Sequence, residues 1–401
     1  MCTYQKREKK HTLVEIYENE FKSYVKSSGR KLWLDKHHFE AVYKSMSCGT
    51  PRIGYAYYVC ECCNECKRIY RSCGSRFCGR CGSASTQKWA EESLSLLLNM
   101  KHHHVVMTLP KPLRFLSKMN ENKIHDLMFQ NSSAVLQSWF EHKRGLRAGI
   151  VSVLHTSGSD LKYHPHVHMI VSGGGTDLMT GEIKELPTDY LTKQRFLGNQ
   201  LRIRMEKSLL ALYRKGELRV PKRWDEDELS FKKWLRDLEE KHWIVSIQKS
   251  LDDRSQIIGY VGRYTKRACL SEYKIESYGN GKVSFRYNDY KNTPRGSKPK
   301  ESIRTMKVYD FLDELLQHVP TKGYRMVRYY GLYCSHYKSK LPKEEKEEVE
   351  IVEGEEWGEY EELRRVDIEK GKEDPLRCIK CKKLMEFKGI IYPELRYVDD
   401  S

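Results

Sequence analysis

Residues 161–175 read "LKYHPHVHMIVSGGG", and the fold turns on how this stretch is taken. His164, His166 and His168 fall within five residues, ahead of an apolar run, Met169 to Val171, and three glycines. In a strand, residues two apart face the same way, so His166 and His168 project together while Val167 packs behind the sheet. Two imidazoles side by side make half of a divalent-metal site. A single strand histidine is more often a half-exposed packing residue, and it is the clustering that weakens that bland reading. The glycines read as a tight exit turn.

A metal half-site needs something to act on, and a second motif supplies a candidate. Residues 255–270, "SQIIGYVGRYTKRACL", place Tyr260 and Tyr264 four apart in a helical pattern, hence one turn apart on one face. Arg263, Lys266 and Arg267 accompany them as candidate DNA-binding cations. Most such tyrosine pairs simply pack a helix on a sheet, so the pair gains meaning only beside the histidines. A free phenol, with a pKa of about 10, is a poor nucleophile unless a metal polarises the phosphate it attacks and cations stabilise the charge.

The whole-chain balance suits such a partner. Seventy-two Lys and Arg against 55 Asp and Glu give +17 and a pI near 9.1, which favours a densely anionic ligand, most simply nucleic acid. The acidity is segregated. Residues 343–376 hold fifteen acidic against six basic residues, a net of −9 that leaves +26 for the rest. The polar start "MCTYQKREKKH" has no apolar core of a signal peptide, and no stretch approaches eighteen uninterrupted apolar residues. The expectation is a cytoplasmic protein without a membrane partner.

Eight of the 13 cysteines lie between Cys48 and Cys81. Cys60-x2-Cys63, the overlapping Cys63-x2-Cys66, and Cys73-x4-Cys78-x2-Cys81 have the spacing by which paired turns present thiolates to zinc. Cys60, Cys63, Cys73, Cys78 and Cys81 are the main candidates, with Cys48 and Cys66 as further ones; one or two Zn²⁺ fit. A site saturated by thiolates is structural, so the knot is expected to hold a basic module against DNA and to perform no chemistry. Near the other end, Cys378-x2-Cys381 could close a site with Cys334 and His336.

Along the chain, residues 1 to about 59 read as helices, and "SASTQKWAEESLSLLLNM" as a helix after the knot. Six strand-like runs follow: "HHVVMTLP", "AGIVSVLHT", "HVHMIVSG", "HWIVSIQK", "YKIESY" and "KVSFRYNDY", the last two joined by a "GNG" turn. Helical patterns such as "FLGNQLRIRMEKSLLALYRKG" lie between them. The class is α+β, a central antiparallel sheet covered by helices, preceded by a helical and zinc-binding domain. The expected divisions are 1–100, 101–335, and an acidic tail at 336–401 carrying the last cysteine pair. Basic and aromatic residues interleave in "VSFRYNDYK" and "YRMVRYYGLY", which suits stacking on single-stranded DNA.

Taken together, "HPHVHMIVSGGG", "YVGRYTKRACLS", "SCGSRFCGRC", "FRYNDY" and "HVPTKGYRMVRYYGL" resemble the two-tyrosine HUH transposases of the insertion sequence 91 family. HUH denotes histidine, bulky hydrophobic, histidine, here His166, Val167 and His168. The resemblance implies an HUH endonuclease domain whose sheet carries the histidines and whose helix turns Tyr260 and Tyr264 toward the metal. It implies Tyr260 and Tyr264 as nucleophiles that nick and rejoin single-stranded DNA at transposon ends through 5′-phosphotyrosine links, in rolling-circle fashion, without ATP. Mg²⁺ or Mn²⁺ is the expected ion, and hairpin or subterminal sequences and target DNA the expected partners. The third ligand stays open between His155 and His164, with Gln256 one turn before Tyr260. One departure is Ala56, where the family carries a histidine, while Cys62 and Cys66 are extra. A plasmid or phage rolling-circle replication initiator shares this chemistry, and a non-catalytic zinc-dependent DNA-binding regulator shares the knot.

Overall fold

The computed structural model describes residues 11–392 apart from 28–33, 83–95, 188–190, 226, 239–242, 249–268, 291, 294–296, 298 and 339–373. The chain divides into two compact units, and the smaller is assembled from both ends: residues 12–85 and 343–401. It begins with α1 (Leu13–Lys26) and α2 (Lys36–Ser47), followed by β1 (Tyr55–Val59) and β2 (Cys66–Tyr70). Helix α1 opens on a reciprocal cap, in which the Thr12 hydroxyl accepts from the Glu15 N–H while the Glu15 carboxylate accepts from the Thr12 N–H. Ile16, Tyr17, Phe21 and Tyr24 are buried.

The larger unit runs in order through β3 (His102–Thr108), α3 (Arg114–Met119), α4 (Glu121–Arg144), β4 (Leu146–Arg147), β5 (Gly149–Ser157), β6 (Tyr163–Ser172), β7 (Gly174–Asp177) and β8 (Ile183–Glu185). It continues with α5 (Gln194–Arg214), α6 (Glu228–Arg236), β9 (Val245–Ile247), β10 (Ile275–Gly279), β11 (Lys282–Asp289), β12 (Lys300–Lys307), α7 (Val308–Leu316) and β13 (Val327–Gly331). The last strand, β14 (Glu386–Ile391), belongs to the smaller unit and pairs antiparallel with β1, giving the order β14-β1-β2. Residues grouped by their sequence with an acidic tail thus supply a strand to the smaller unit. The helical reading of the first 59 residues gives way at Tyr55. The run "YAYYV" alternates half-buried and buried residues, a strand period, and its second edge is taken by a partner more than 300 residues away.

The central sheet has the order β13-β5-β6-β3-β9, with every neighbouring pair antiparallel, as expected for the α+β class. All six strand-like runs form strands, and Asn280 and Gly281 make the β10–β11 turn with φ of +50° and +69°. One face of the sheet carries Val105, Met107, Leu154, Val167, Met169 and Val171 into the main core beneath α4 and α5. The other face is apolar at one end, where Val151, Val153 and Ile170 pack with Leu96, Leu97, Leu98, Leu332 and Tyr333. Its other end carries histidines.

The glycine triplet is not the expected exit turn. Gly174 and Gly175 begin β7, where a Cβ would stand 2.2 Å from the Lys184 carbonyl oxygen and 2.1 Å from that of Arg147. Only a bare backbone fits between those neighbours.

Candidate metal centre and thiol knot

Strand pairing builds the histidine group. His155 on β5 lies opposite His166 on β6, and Val153 opposite His168. The ring centroids of His155 and His166 are 5.1 Å apart, and those of His166 and His168 are 4.8 Å apart. One nitrogen from each of His155, His166 and His168 falls within 4.8 Å of the others. Of the two histidines open for a third position, the geometry therefore brings in His155. His164 is not in this group: its Nδ1 accepts from the Arg114 guanidinium, which also donates to the Tyr163 carbonyl oxygen at 3.4 Å.

Neighbours set the direction of the two rings on β6. The His166 Nδ1–H donates to the His164 carbonyl oxygen at 2.6 Å, which leaves its Nε2 lone pair for a ligand. His168 Nδ1 lies 3.0 Å from His104 Nε2, with the two rings stacked at 5.2 Å and nearly parallel. For His168 to ligate through Nε2, its Nδ1–H donates to His104 Nε2. His104 was not singled out in the sequence. It sits on β3 beside Ile170, one pleat from His168, and only the β3–β6 register reveals it.

Burial keeps these rings neutral. It lowers His166 to about 4, against the raising effect of the bond to His164, and His164 to about 3. His168 is pushed well below its ordinary value by burial and then by its neighbours His166, His104 and His155. Three imidazoles converging from two strands, those of His166 and His168 kept neutral by burial, are a donor set that fits a divalent ion and leaves its other positions to oxygen. Tyr260, Tyr264, Arg263, Lys266, Arg267 and Gln256 lie outside the described residues.

The interleaved basic and aromatic stretches largely turn inward. Arg328 pairs with Asp126 and lies over the Phe129 ring at 4.5 Å, and the Tyr324 hydroxyl donates to Asp126 at 2.9 Å. Arg286 pairs with Glu276 and, at 3.6 Å, with Glu301. Packing on α4 and within the β10–β12 sheet accounts for Arg286, Tyr324 and Arg328, while Tyr290 and Arg325 are exposed.

In the smaller unit, Cys48, Cys73, Cys78 and Cys81 bring their sulfurs within 4.8 Å of one another. Cys48 Sγ is 3.3 Å and Cys73 Sγ 3.6 Å from Cys81 Sγ. The Arg80 guanidinium donates to the Cys48 carbonyl oxygen at 2.9 Å, tying the end of α2 to the Cys78–Cys81 turn. Four thiols at this spacing could hold one tetrahedral zinc. Cys48, a secondary candidate by sequence, is thus a full member, and Cys60 and Cys63 are not. Cys66 starts β2 with an exposed side chain and lies outside this group. Cys378 and Cys381, expected beside Cys334 and His336, are grouped instead with Cys60 and Cys63 within the smaller unit.

Comparison with known proteins agrees with both units. A family model described as "Putative transposase" matches residues 149–340, and one described as "Transposase zinc-binding domain" matches residues 16–109. The class is therefore that of the transposases. A Sinorhizobium fredii protein, likewise described as a putative transposase, is 28% identical over 295 residues, 73% of each chain. The transposase for insertion sequence element IS801 of Pseudomonas savastanoi pv. phaseolicola is 28% identical over 324 residues, 76% of this chain and 72% of that one. The chain belongs to the insertion sequence 91 family of transposases. No solved structure matches. Among the described residues no helix is long and apolar enough to cross a membrane.

Proposed function

We propose that this transposase is an HUH endonuclease that nicks and rejoins single-stranded DNA, with Tyr260 and Tyr264 as nucleophiles and His155, His166 and His168 as ligands of Mg²⁺ or Mn²⁺. The observation that carries the reading is the convergence of three imidazoles on one sheet face. When bound, the ion supplies Lewis-acid polarisation of the scissile phosphate. Imidazoles suit manganese better than magnesium, so stronger support by Mn²⁺ is expected.

The chain's own residues do the rest. His166 and His168 are held in one orientation by the His164 carbonyl and by His104, so no reorganisation is needed when the phosphate arrives. The attacking phenol oxygen of Tyr260 or Tyr264 forms a bond to phosphorus as the bond from phosphorus to the 3′ oxygen breaks. The phenol proton passes, in net, to that leaving oxygen, giving a 5′-phosphotyrosine link and a free 3′-hydroxyl. Attack by a 3′-hydroxyl on the link reverses the exchange and restores the phenol, so bond energy is kept. Arg263, Lys266 and Arg267 would stabilise phosphate charge on the tyrosine helix, and hairpin or subterminal sequences at the transposon ends would be the substrates.

The test uses single strands from the DNA flanking the encoding gene, labelled at the 3′ end, with Mn²⁺. A denaturant-resistant protein–DNA adduct is expected, and it should vanish in the Tyr260→Phe/Tyr264→Phe double variant while DNA binding persists. Adducts surviving in that variant would remove the assigned nucleophiles. Binding without adducts in the wild type would favour the non-catalytic regulator.

A further inference from the structure

We infer that Cys60, Cys63, Cys378 and Cys381 form a second zinc site, which fastens residues 374–392 to the N-terminal knot. The four sulfurs lie within 4.8 Å of one another, with Cys60 Sγ 3.4 Å from Cys381 Sγ. A zinc ion at about 2.3 Å from each of four sulfurs spaces them about 3.8 Å apart, so the group needs little adjustment to take one.

The two halves have the same build. The Asn64 N–H donates to the Cys60 carbonyl oxygen at 2.8 Å, and the Lys382 N–H to that of Cys378 at 2.9 Å. The Cys60 N–H donates to the Glu65 carbonyl at 2.9 Å, and the Cys378 N–H to that of Lys383 at 2.8 Å. Both residues that follow the second cysteine are left-handed, Asn64 at φ +52° and Lys382 at φ +61°. A lysine takes that conformation rarely, and here it matches the geometry of the other turn. Two equivalent turns, brought face to face by the β1–β14 ladder, present two thiols each to one point.

Packing alone does not account for four cysteines there. Among the described residues the surrounding core holds only Ala56, Tyr58, Leu376 and Met385 as further buried apolar side chains, with Cys60 and Cys378 themselves 1% and 0% exposed. So small a core needs a metal to be stable. Neither matching family model reaches Cys378 or Cys381, since they end at 109 and 340.

The full-length chain is tested in two ways. Native mass spectrometry of zinc-loaded protein carrying His166→Ala/His168→Ala, which removes the histidine group, should find two zinc ions, falling to one when Cys378→Ser/Cys381→Ser is added; two ions retained after that addition would overturn the site. Should the variant not fold, the wild-type chain decides by maleimide labelling. Cys378, Cys381, Cys60 and Cys63 should resist labelling until a chelator is added, whereas the exposed Cys62 and Cys66 react at once. Labelling of Cys378 and Cys381 as fast as Cys62 in zinc-loaded protein would equally overturn it. Neither readout depends on DNA cleavage.

Discussion

Replacing His104 by alanine removes the side chain on which His168 Nδ1 leans, at 3.0 Å, and leaves every proposed metal ligand in place. Groups in that position fix the tautomer and orientation of a ligating histidine, and their loss typically weakens metal affinity 10–100-fold. That is about 1.4–2.7 kcal/mol of binding free energy. The near-parallel stacking of the two rings means that alanine also opens space beside His168, which points to the upper part of the range. The assay is titration with Mn²⁺, reading free ion by electron paramagnetic resonance. His102→Ala is the control. His102 is as deeply buried on the same strand, but its Nε2 bonds the Tyr333 hydroxyl at 2.7 Å and its Nδ1 the Met100 carbonyl at 2.8 Å. It should lower stability and leave Mn²⁺ affinity unchanged. Wild-type affinity in His104→Ala, or an equal loss in His102→Ala, would refute the assigned role.

Other outcomes follow from the larger unit's core. His125 and His318 are buried and held at about 4 by desolvation, so the unfolded chain binds more protons below pH 6.5. Stability contributed by each is present above pH 6.5 and is lost as pH falls toward 4, roughly 2 kcal/mol per histidine between pH 7.5 and 5; urea melts of wild type and His125→Gln should show the variant losing less. Tyr333→Phe removes the partner of His102 and of the Leu98 N–H, and should lower stability by about 1–3 kcal/mol in the same melts without changing Mn²⁺ binding. In Gly331→Ala a Cβ would stand 1.9 Å from the Ala148 carbonyl oxygen at φ +57°, so a loss above about 2 kcal/mol, or insoluble protein, is expected.

Local signals in the sequence were enough for the strand carrying His166 and His168, because alternation and β-branched residues agree there, and for the Asn280–Gly281 turn. They were not enough wherever a partner is distant. His104 reads as one of three histidines opening a strand, and only its register against β6 separates it from His102 and His103. Cys378 and Cys381 announce a turn for metal, but nothing local names Cys60 and Cys63 as the other half. Helix α4 lacks a clean apolar stripe because Asn131 and Ser133 are buried in it. Asn131 donates to the Leu127 carbonyl at 2.9 Å and to Ser208 of α5 at 3.2 Å, and Ser133 returns its hydroxyl to the Phe129 carbonyl at 2.9 Å. The tight seat of Gly174 and Gly175 is likewise set by the backbones of β4 and β8.

The antiparallel ladder between β1 and β14 also has a meaning in time. Val59 pairs with Glu386, so 327 residues must be synthesised after β1 before its second edge can be covered. At about 5–20 residues per second, that is roughly 15–65 s during which an aromatic strand edge and the Cys60–Cys63 turn wait on the ribosome with the larger unit still emerging. A message cut short anywhere in that interval yields a chain whose first unit cannot close, however well its sheet of histidines has formed.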